Sequence, residues 1–345
     1  MKAISKTRAG FGAAWVDCRT PSIGPGDLLL RVHRASICGS DLPIYQWTSW
    51  APQRLKLPMV FGHELCGTVV GAGKSAGDFK LGDFVSVESH IYCGKCRQCL
   101  QNQKQVCQDL KIIGLDSPGG FSEYARIPAR CAWKFADAAL KPYGSLLEPL
   151  GNAVYTVLAE EVAGRSVLVL GCGPQGLFAI AVAKASGAAP VIAVESPPYR
   201  RKLAEKAGAD AVLSPQESRL LSKIRKKAKY AGGVDVVLEL SGSPQAIALG
   251  FESLRSGGRL SAFGIPPRKL EVDWARHVIF KGVRISGIVG REVFGTWKQM
   301  MKLIRGGAIP FEVIVTHTFP MKDFERGFEV MMDPERRCGK VLLAP

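Results

Sequence analysis

Two textures of hydrophobic patterning divide the chain. From residue 25 to about 135, short alternating or β-branched runs (Asp27 to His33, Leu65 to Ala72, Asp83 to Ser89, Phe121 to Ile127) lie between Gly, Pro and Asp, and predict strands joined by turns. After about residue 150 the texture becomes strand and helix in alternation. Continuous apolar runs at Val167 to Leu170 and Val191 to Val194 are followed by helically spaced positions over Leu177 to Ser186 and Arg200 to Ala207. The alternation continues through a strand at Val234 to Leu240, a helix at Ala246 to Arg255, a strand at Arg259 to Gly264 and a further strand at Val283 to Ile288. Strands apolar on both faces, separated by helices, predict a parallel sheet covered by helices. The tail gives a helix over Trp297 to Ile304, strand-like pieces and a helix near Phe324 to Met332, and is expected to return to the first domain.

Length agrees with this division, because 345 residues exceed what one core usually organises. Hydrophobic residues at 47% and charged residues at 22% exclude a disordered chain. No run of about 18 apolar residues occurs, and Met1 to Trp15 lacks a secretory apolar segment, so a cytoplasmic protein is expected. A formal charge of +16 raises the possibility of nucleic-acid binding. The densest basic run, Arg219 to Lys229, spaces its apolar residues helically and reads as the solvated face of an amphipathic helix.

Three groups of residues carry candidate chemistry. Gly171-Cys-Gly-Pro-Gln-Gly176 fits G-x-G-x-x-G between a buried strand and a helix, where Gly171, Gly173 and Gly176 permit a tight turn and a close approach to a pyrophosphate. Glu195, at the end of the next strand, suits the hydroxyls of an adenosine ribose and favours NAD. Arg200 and Arg201 nearby argue the other way, for NADP, and a flavin site or an empty dinucleotide fold is the bland alternative. Cys93, Cys96, Cys99 and Cys107 form C-x2-C-x2-C-x7-C, four soft ligands suited to a closed structural zinc, with an iron–sulfur cluster as the competing reading. Cys38, His63, Glu64 and Glu148 make a mixed set of the kind a catalytic zinc uses; taken singly, each also reads as an ordinary core or surface residue.

At these residues the chain resembles the zinc-dependent medium-chain dehydrogenases. The likeness runs through Ile37-Cys-Gly-Ser-Asp41, Trp47 and Trp50, Gly62-His-Glu64, Ser89-His-Ile-Tyr-Cys93, Glu148-Pro-Leu-Gly-Asn-Ala-Val154, Gly264-Ile-Pro-Pro267 and Gly290-Arg-Glu292. The paired tryptophans, His90 and the Gly290-Arg-Glu292 segment are narrower and point to its threonine-oxidising branch. The resemblance implies an α/β fold class, a Rossmann-type doubly wound parallel sheet over 151–290 beside a mainly β, GroES-like catalytic domain over 1–150 completed by 291–345. It implies two Zn2+ per chain, NAD, a small hydroxy substrate and a homotetramer. It makes Cys38, His63 and Glu64 ligands of the catalytic zinc, Glu148 an exchanging ligand or proton acceptor, Ser40 the hydroxyl that takes the substrate proton, and His90 a determinant of substrate preference. Gln175, Glu195 and Arg200 would meet NAD, as would the backbone at Phe263, Gly264 and Ile265 and at Ile288 and Val289. Arg291 would lie near the active cleft, among the cofactor residues. The implied reaction is oxidation of a secondary alcohol by hydride transfer, L-threonine to 2-amino-3-oxobutanoate, with a polyol, sugar or cyclitol as the alternative substrate. A non-catalytic zinc protein that binds nucleic acid is the alternative of another class.

One departure stands out. The family places a histidine three residues after the relay hydroxyl; this chain has Pro43, whose ring can neither accept a proton nor donate a backbone N–H. Thr48 and Ser49 replace the acidic residues often found between the two tryptophans.

Overall fold

The computed structural model describes every residue except Ala231. The chain forms two compact units, Met1–Pro149 with Val315–Pro334 and Lys340–Pro345, and Leu150–Ile314 with Glu335–Gly339. The return to the first unit therefore falls at Val315, later than the 291 of the sequence reading. The reason is burial. The Gly295–Arg305 helix packs away Trp297, Met300, Met301 and Ile304, and Phe311 meets Phe178 of the second unit edge-on at 6.2 Å.

In the first unit the Asp27–Ile37 strand is the organising element. One edge pairs antiparallel with Glu64–Ala72; along the other, Tyr124–Pro128 pairs with its beginning and Lys340–Ala344 with its end. Leu28, Leu30 and Val32 alternate into the core, and Ala35, Ser36 and Ile37 are all buried where strands flank both edges. The register sets Ser36 opposite both Glu64 and Leu342, and Ile37 opposite Val341. Three short helices, Asp41–Gln46, Ala51–Arg54 and Arg97–Leu100, interrupt what the hydrophobic pattern reads as strand and turn, because four to six residues are too few to display a helical period.

The second unit is a six-stranded parallel sheet. Val167–Leu170, Val191–Val194, Ala211–Leu213, Val234–Glu239, Leu254–Ala262 and Arg284–Gly287 lie in the spatial order third, second, first, fourth, fifth, sixth. This is the doubly wound arrangement, whose strand order reverses between Val167–Leu170 and Val234–Glu239. Every residue of those two strands is buried. The Pro174–Ala185 helix buries Gly176 through Ala183 without a break, as a helix covered on most sides must. The basic run forms the Leu220–Lys227 helix, which buries Ile224. Among the described residues no helix is long and apolar enough to cross a membrane.

Candidate metal centres and dinucleotide site

Strand ends build the first metal centre. Cys38 follows the Asp27–Ile37 strand, and His63 and Glu64 come from the start of its antiparallel neighbour; one ligand atom from each lies within 4.8 Å of the others. Gly62 lets the chain reach this position: its φ is +87°, and a Cβ there would stand 2.4 Å from the Phe121 ring. Asp41, 1% exposed, organises the approach. One of its oxygens accepts the Cys38 backbone N–H at 2.8 Å and the other faces His63 Nδ1 at 3.6 Å. Burial opposes charge on His63, but the Asp41 carboxylate and the Cys38 sulfur outweigh it and raise its pKa well above the ordinary histidine value.

Glu64 is buried and held from behind. Ser36 Oγ donates to its Oε2, and Lys340 Nζ, 276 residues along the chain, reaches Oε1 at 2.6 Å and Oε2 at 2.5 Å. Burial raises the Glu64 pKa, Lys340 and His63 pull it down, and the balance leaves it raised. Burial likewise works against the Lys340 ammonium, yet Glu64 and Cys38 keep its pKa above the ordinary lysine value. Glu148 is buried nearby, accepting a 2.6 Å hydrogen bond from Ser89 Oγ, and is not among the three converging ligand atoms. His90, also buried, has Nδ1 3.0 Å from Glu88 Oε1, which accepts its backbone N–H as well. Ser40 is exposed at the N-cap of the Asp41–Gln46 helix, and its side chain makes no capping bond. Pro43 lies within that helix.

The second centre is local. Cys93, Cys96, Cys99 and Cys107 bring four sulfurs within 4.8 Å, with Cys93 Sγ to Cys99 Sγ at 4.0 Å and Cys96 Sγ to Cys107 Sγ at 3.8 Å. A tetrahedron with Zn–S near 2.3 Å has edges of about 3.8 Å, so these spacings fit the ion. Backbone amides point at the sulfurs, Cys93 N to Cys107 Sγ at 3.2 Å and Cys96 N to Cys93 Sγ at 3.3 Å. Hydrogen bonds from the backbone, that of Cys99 foremost, pull the Cys96 thiol down to about 6, whereas burial pushes Cys99 up to about 12. Such crowded thiols take on negative charge together only around a cation. All ten cysteines are free thiols.

In the second unit the glycine loop opens the Pro174–Ala185 helix. Gly171 has a φ of +90° and abuts Ser241 at the strand-order reversal, where ligands of such sheets bind. A Cβ on Gly176 would lie 1.9 Å from the Gly171 carbonyl oxygen, so only glycine allows the helix this close to the turn. Gly173 is the N-cap and has no side chain to occupy the first amides, which leaves them to an anion. Gln175 Oε1 is buried without a partner. The Arg200 guanidinium lies 3.7 Å from the Cβ position of Gly173, anchored through Nε to the Cys338 carbonyl at 3.0 Å. Glu195 accepts the Cys172 N–H and, at 2.8 Å, the Ser196 N–H, which leaves two of its four lone-pair positions for a ligand.

Other predicted residues differ in surroundings. Phe263 and Gly264 donate their backbone N–H groups to the Glu239 carbonyl, each at 3.0 Å, and Ile265 beside them is 90% exposed. Ile288 is buried and bonds the Ala262 carbonyl, whereas Val289 is exposed. Arg291 is fully buried, with Nη1 bonded to Asn152 Oδ1 at 2.6 Å and Cδ against the Cβ position of Gly151; this is a packing position rather than a solvent-facing one.

Sequence reasoning passed over Asp41, Ser36, Lys340, Glu88, Ser89 and Glu239. Asp41 was within reach, since it ends the Cys-Gly-Ser-Asp run three residues after a candidate ligand. Lys340 carried no local signal.

The chain's similarity to known proteins agrees with this geometry. A model described as "Alcohol dehydrogenase GroES-like domain" matches residues 24–137, and one described as "Zinc-binding dehydrogenase" matches 174–306. L-threonine 3-dehydrogenase of Thermococcus kodakarensis is 45% identical over 100% of this chain and 98% of its own length. The Bacillus subtilis protein of the same name is 43% identical over 100% and 99%. Among solved structures, a short chain alcohol dehydrogenase from E. coli CFT073, complexed with NADH, superposes with a TM-score of 0.92 at 25% identity, covering 100% of this chain and 99% of that one. With strand ends converging on a mixed metal centre, a four-cysteine lobe and a doubly wound glycine-loop unit in one chain, the protein belongs to the zinc-dependent medium-chain dehydrogenases.

Proposed function

We propose that the protein oxidises a secondary alcohol, L-threonine to 2-amino-3-oxobutanoate, with NAD as hydride acceptor and zinc held by Cys38, His63 and Glu64. One observation carries this reading: the ligand atoms of those three residues converge within 4.8 Å in a chain 45% identical, end to end, to a protein named L-threonine 3-dehydrogenase. When bound, zinc supplies the Lewis acidity that polarises a substrate hydroxyl. Ser40 Oγ, exposed and uncommitted to capping, takes the hydroxyl proton. With Pro43 where the family has histidine, that proton passes to water, or to Glu148, whose carboxylate Ser89 orients. His90, fixed by Glu88, faces the substrate and sets preference. The Gly171–Gly176 loop and Arg200 hold the pyrophosphate, and the Glu195 carboxylate binds the ribose and repels a 2′-phosphate. The first unit is thus the catalytic domain and the second the NAD domain. The four-cysteine lobe holds the structural zinc.

A single screen tests the reading: NADH formation with L-threonine, other 3-hydroxy amino acids, sugar alcohols and cyclitols, repeated with NADP. Fastest turnover of threonine with NAD is expected. Pro43, Thr48 and Ser49 favour a second reading, a polyol, sugar or cyclitol substrate, and turnover of such a compound with none of threonine would establish it.

The reading extends to a cytoplasmic homo-oligomer, a tetramer in this family. In support, the Arg284–Gly287 strand ends its sheet with one edge unpaired among the described residues, and Ile285, Phe280 and Trp274 in and before it are exposed. A monomeric mass by light scattering would refute it.

A further inference from the structure

Glu64 and Lys340 form a buried ion pair at 0% and 3% side-chain exposure, immediately behind the first metal centre. The fold brings them together by register: Ser36 lies opposite Glu64 on one edge of its strand and opposite Leu342 on the other, so Lys340, two residues before Leu342, reaches the same strand end. A carboxylate offers four lone-pair positions, two per oxygen. Oε2 accepts from Ser36 Oγ and lies 2.5 Å from Lys340 Nζ in the ion pair, whereas among the described residues Oε1 accepts from Lys340 alone, so Oε1 is the less crowded oxygen.

We propose that Lys340, assisted by Ser36, is a positioning residue that limits Glu64 to ligation through Oε1 alone and keeps that ligand exchangeable. The proposal rests on the reading of Cys38, His63 and Glu64 as zinc ligands. Its physical basis is competition. An ammonium sharing the carboxylate draws electron density from the oxygen that would bind the metal, and its positive charge sits beside a divalent cation. Removing Lys340 frees both oxygens, leaves a buried carboxylate that only the metal can satisfy, and deletes a repulsive charge. All three effects tighten Glu64 on the metal, at the expense of the coordination position a substrate needs.

The test uses zinc-loaded Lys340→Met and Lys340→Arg enzymes beside the wild type. In Lys340→Met, release of the catalytic zinc to a chromogenic chelator is expected to slow roughly tenfold, opposite in sign to the loss of metal affinity of about 10–100-fold that removing an outer-shell partner ordinarily brings. Its cobalt-substituted form should show weaker d–d absorption, as a carboxylate bound through both oxygens raises the coordination number. Its KM for the alcohol should rise by about the same factor with kcat within about threefold, because the substrate must displace a tighter protein ligand. Lys340→Arg should restore release rate and spectrum. Release as fast as or faster than wild type in Lys340→Met, with an unchanged cobalt spectrum, overturns the proposal. If Lys340→Met does not fold, Ser36→Ala reads the same effect, since it empties one position on Oε2: slower release supports the proposal and an unchanged rate overturns it. A Cys38→Ser enzyme separates the underlying reading, for if it keeps the zinc content and release profile of the wild type, the centre is not where Cys38 lies and Lys340 has no metal ligand to position.

Discussion

The two metal centres are built in opposite ways. The four-cysteine lobe closes within Cys93–Cys107, with its own backbone amides aimed at its sulfurs. The Cys38 centre takes a ligand from the end of one strand, two from the start of its neighbour and its supporting cation from the last strand of the chain. Four sulfurs in the lobe would fill the coordination of a tetrahedral ion and leave no position for a substrate. The mixed centre offers three converging ligand atoms, with Ser40 two residues past Cys38 and Glu148 brought near from far along the chain, and a three-ligand set would leave a metal position open. Local chain geometry suffices to make a closed site, and an open one needs the whole domain to hold its ligands apart.

Substitutions at the two centres should separate them, beginning with the strongest. Cys38→Ser is expected to lower kcat/KM roughly 10³-fold, equivalent to about 4 kcal/mol of Lewis-acid stabilisation, with the circular-dichroism spectrum and thermal midpoint nearly unchanged. A rate near wild type would remove the distinction drawn above. Cys96→Ser should do the reverse, destabilising the fold by roughly 4 kcal/mol in denaturant titrations as lobe zinc is lost, while kcat per folded molecule changes little. Equal losses of rate and stability in both variants would mean the centres are one cooperative unit.

Gly62→Ala tests how far the mixed centre depends on distant packing. Its new Cβ meets the Phe121 ring at 2.4 Å in a backbone conformation with φ of +87°, so a stability loss of about 1–3 kcal/mol is expected, together with weaker zinc retention at Cys38 but not in the lobe. Zinc analysis after dialysis checks the selectivity. The smallest effect concerns pH. The His63 pKa is raised in the metal-free fold, so the imidazolium's stabilisation is complete below the ordinary histidine value and is lost as pH rises through the raised one. Zinc requires the neutral ring, so its affinity at this centre should rise with pH across that window, by up to about tenfold per unit for His63. Affinity measured by chelator competition and found flat across the window would take His63 out of the ligand set.

Legibility in the sequence followed the same division. The lobe's cysteine spacing and the glycine loop each lie within fifteen residues, and the structure brings their members together as spaced. Arg291 and Lys340 show the limit. Arg291, placed among the cofactor residues by the resemblance, bonds Asn152 and packs on Gly151, contacts that its motif does not announce; Lys340, unmarked by any motif, holds a buried carboxylate 276 positions away. Pro43 is legible as a departure, yet its consequence depends on which acceptors surround Ser40.

What the amino-acid order determined by itself is everything carried by short spacing and period. Strand and helix alternate because apolar positions recur at two and at 3.6 residues, the glycine turn forms because a side chain would collide with it, and four thiols meet because the loop between them is short. Only the tertiary structure decided what comes from sequence-distant strands: Lys340 behind Glu64, the late return of the chain at Val315, and the pairing of Asp41 with His63. Strand register supplies the physical reason. It is fixed by burying one set of apolar faces across the whole sheet, and it then dictates, with no local signature, which polar side chains share a strand end.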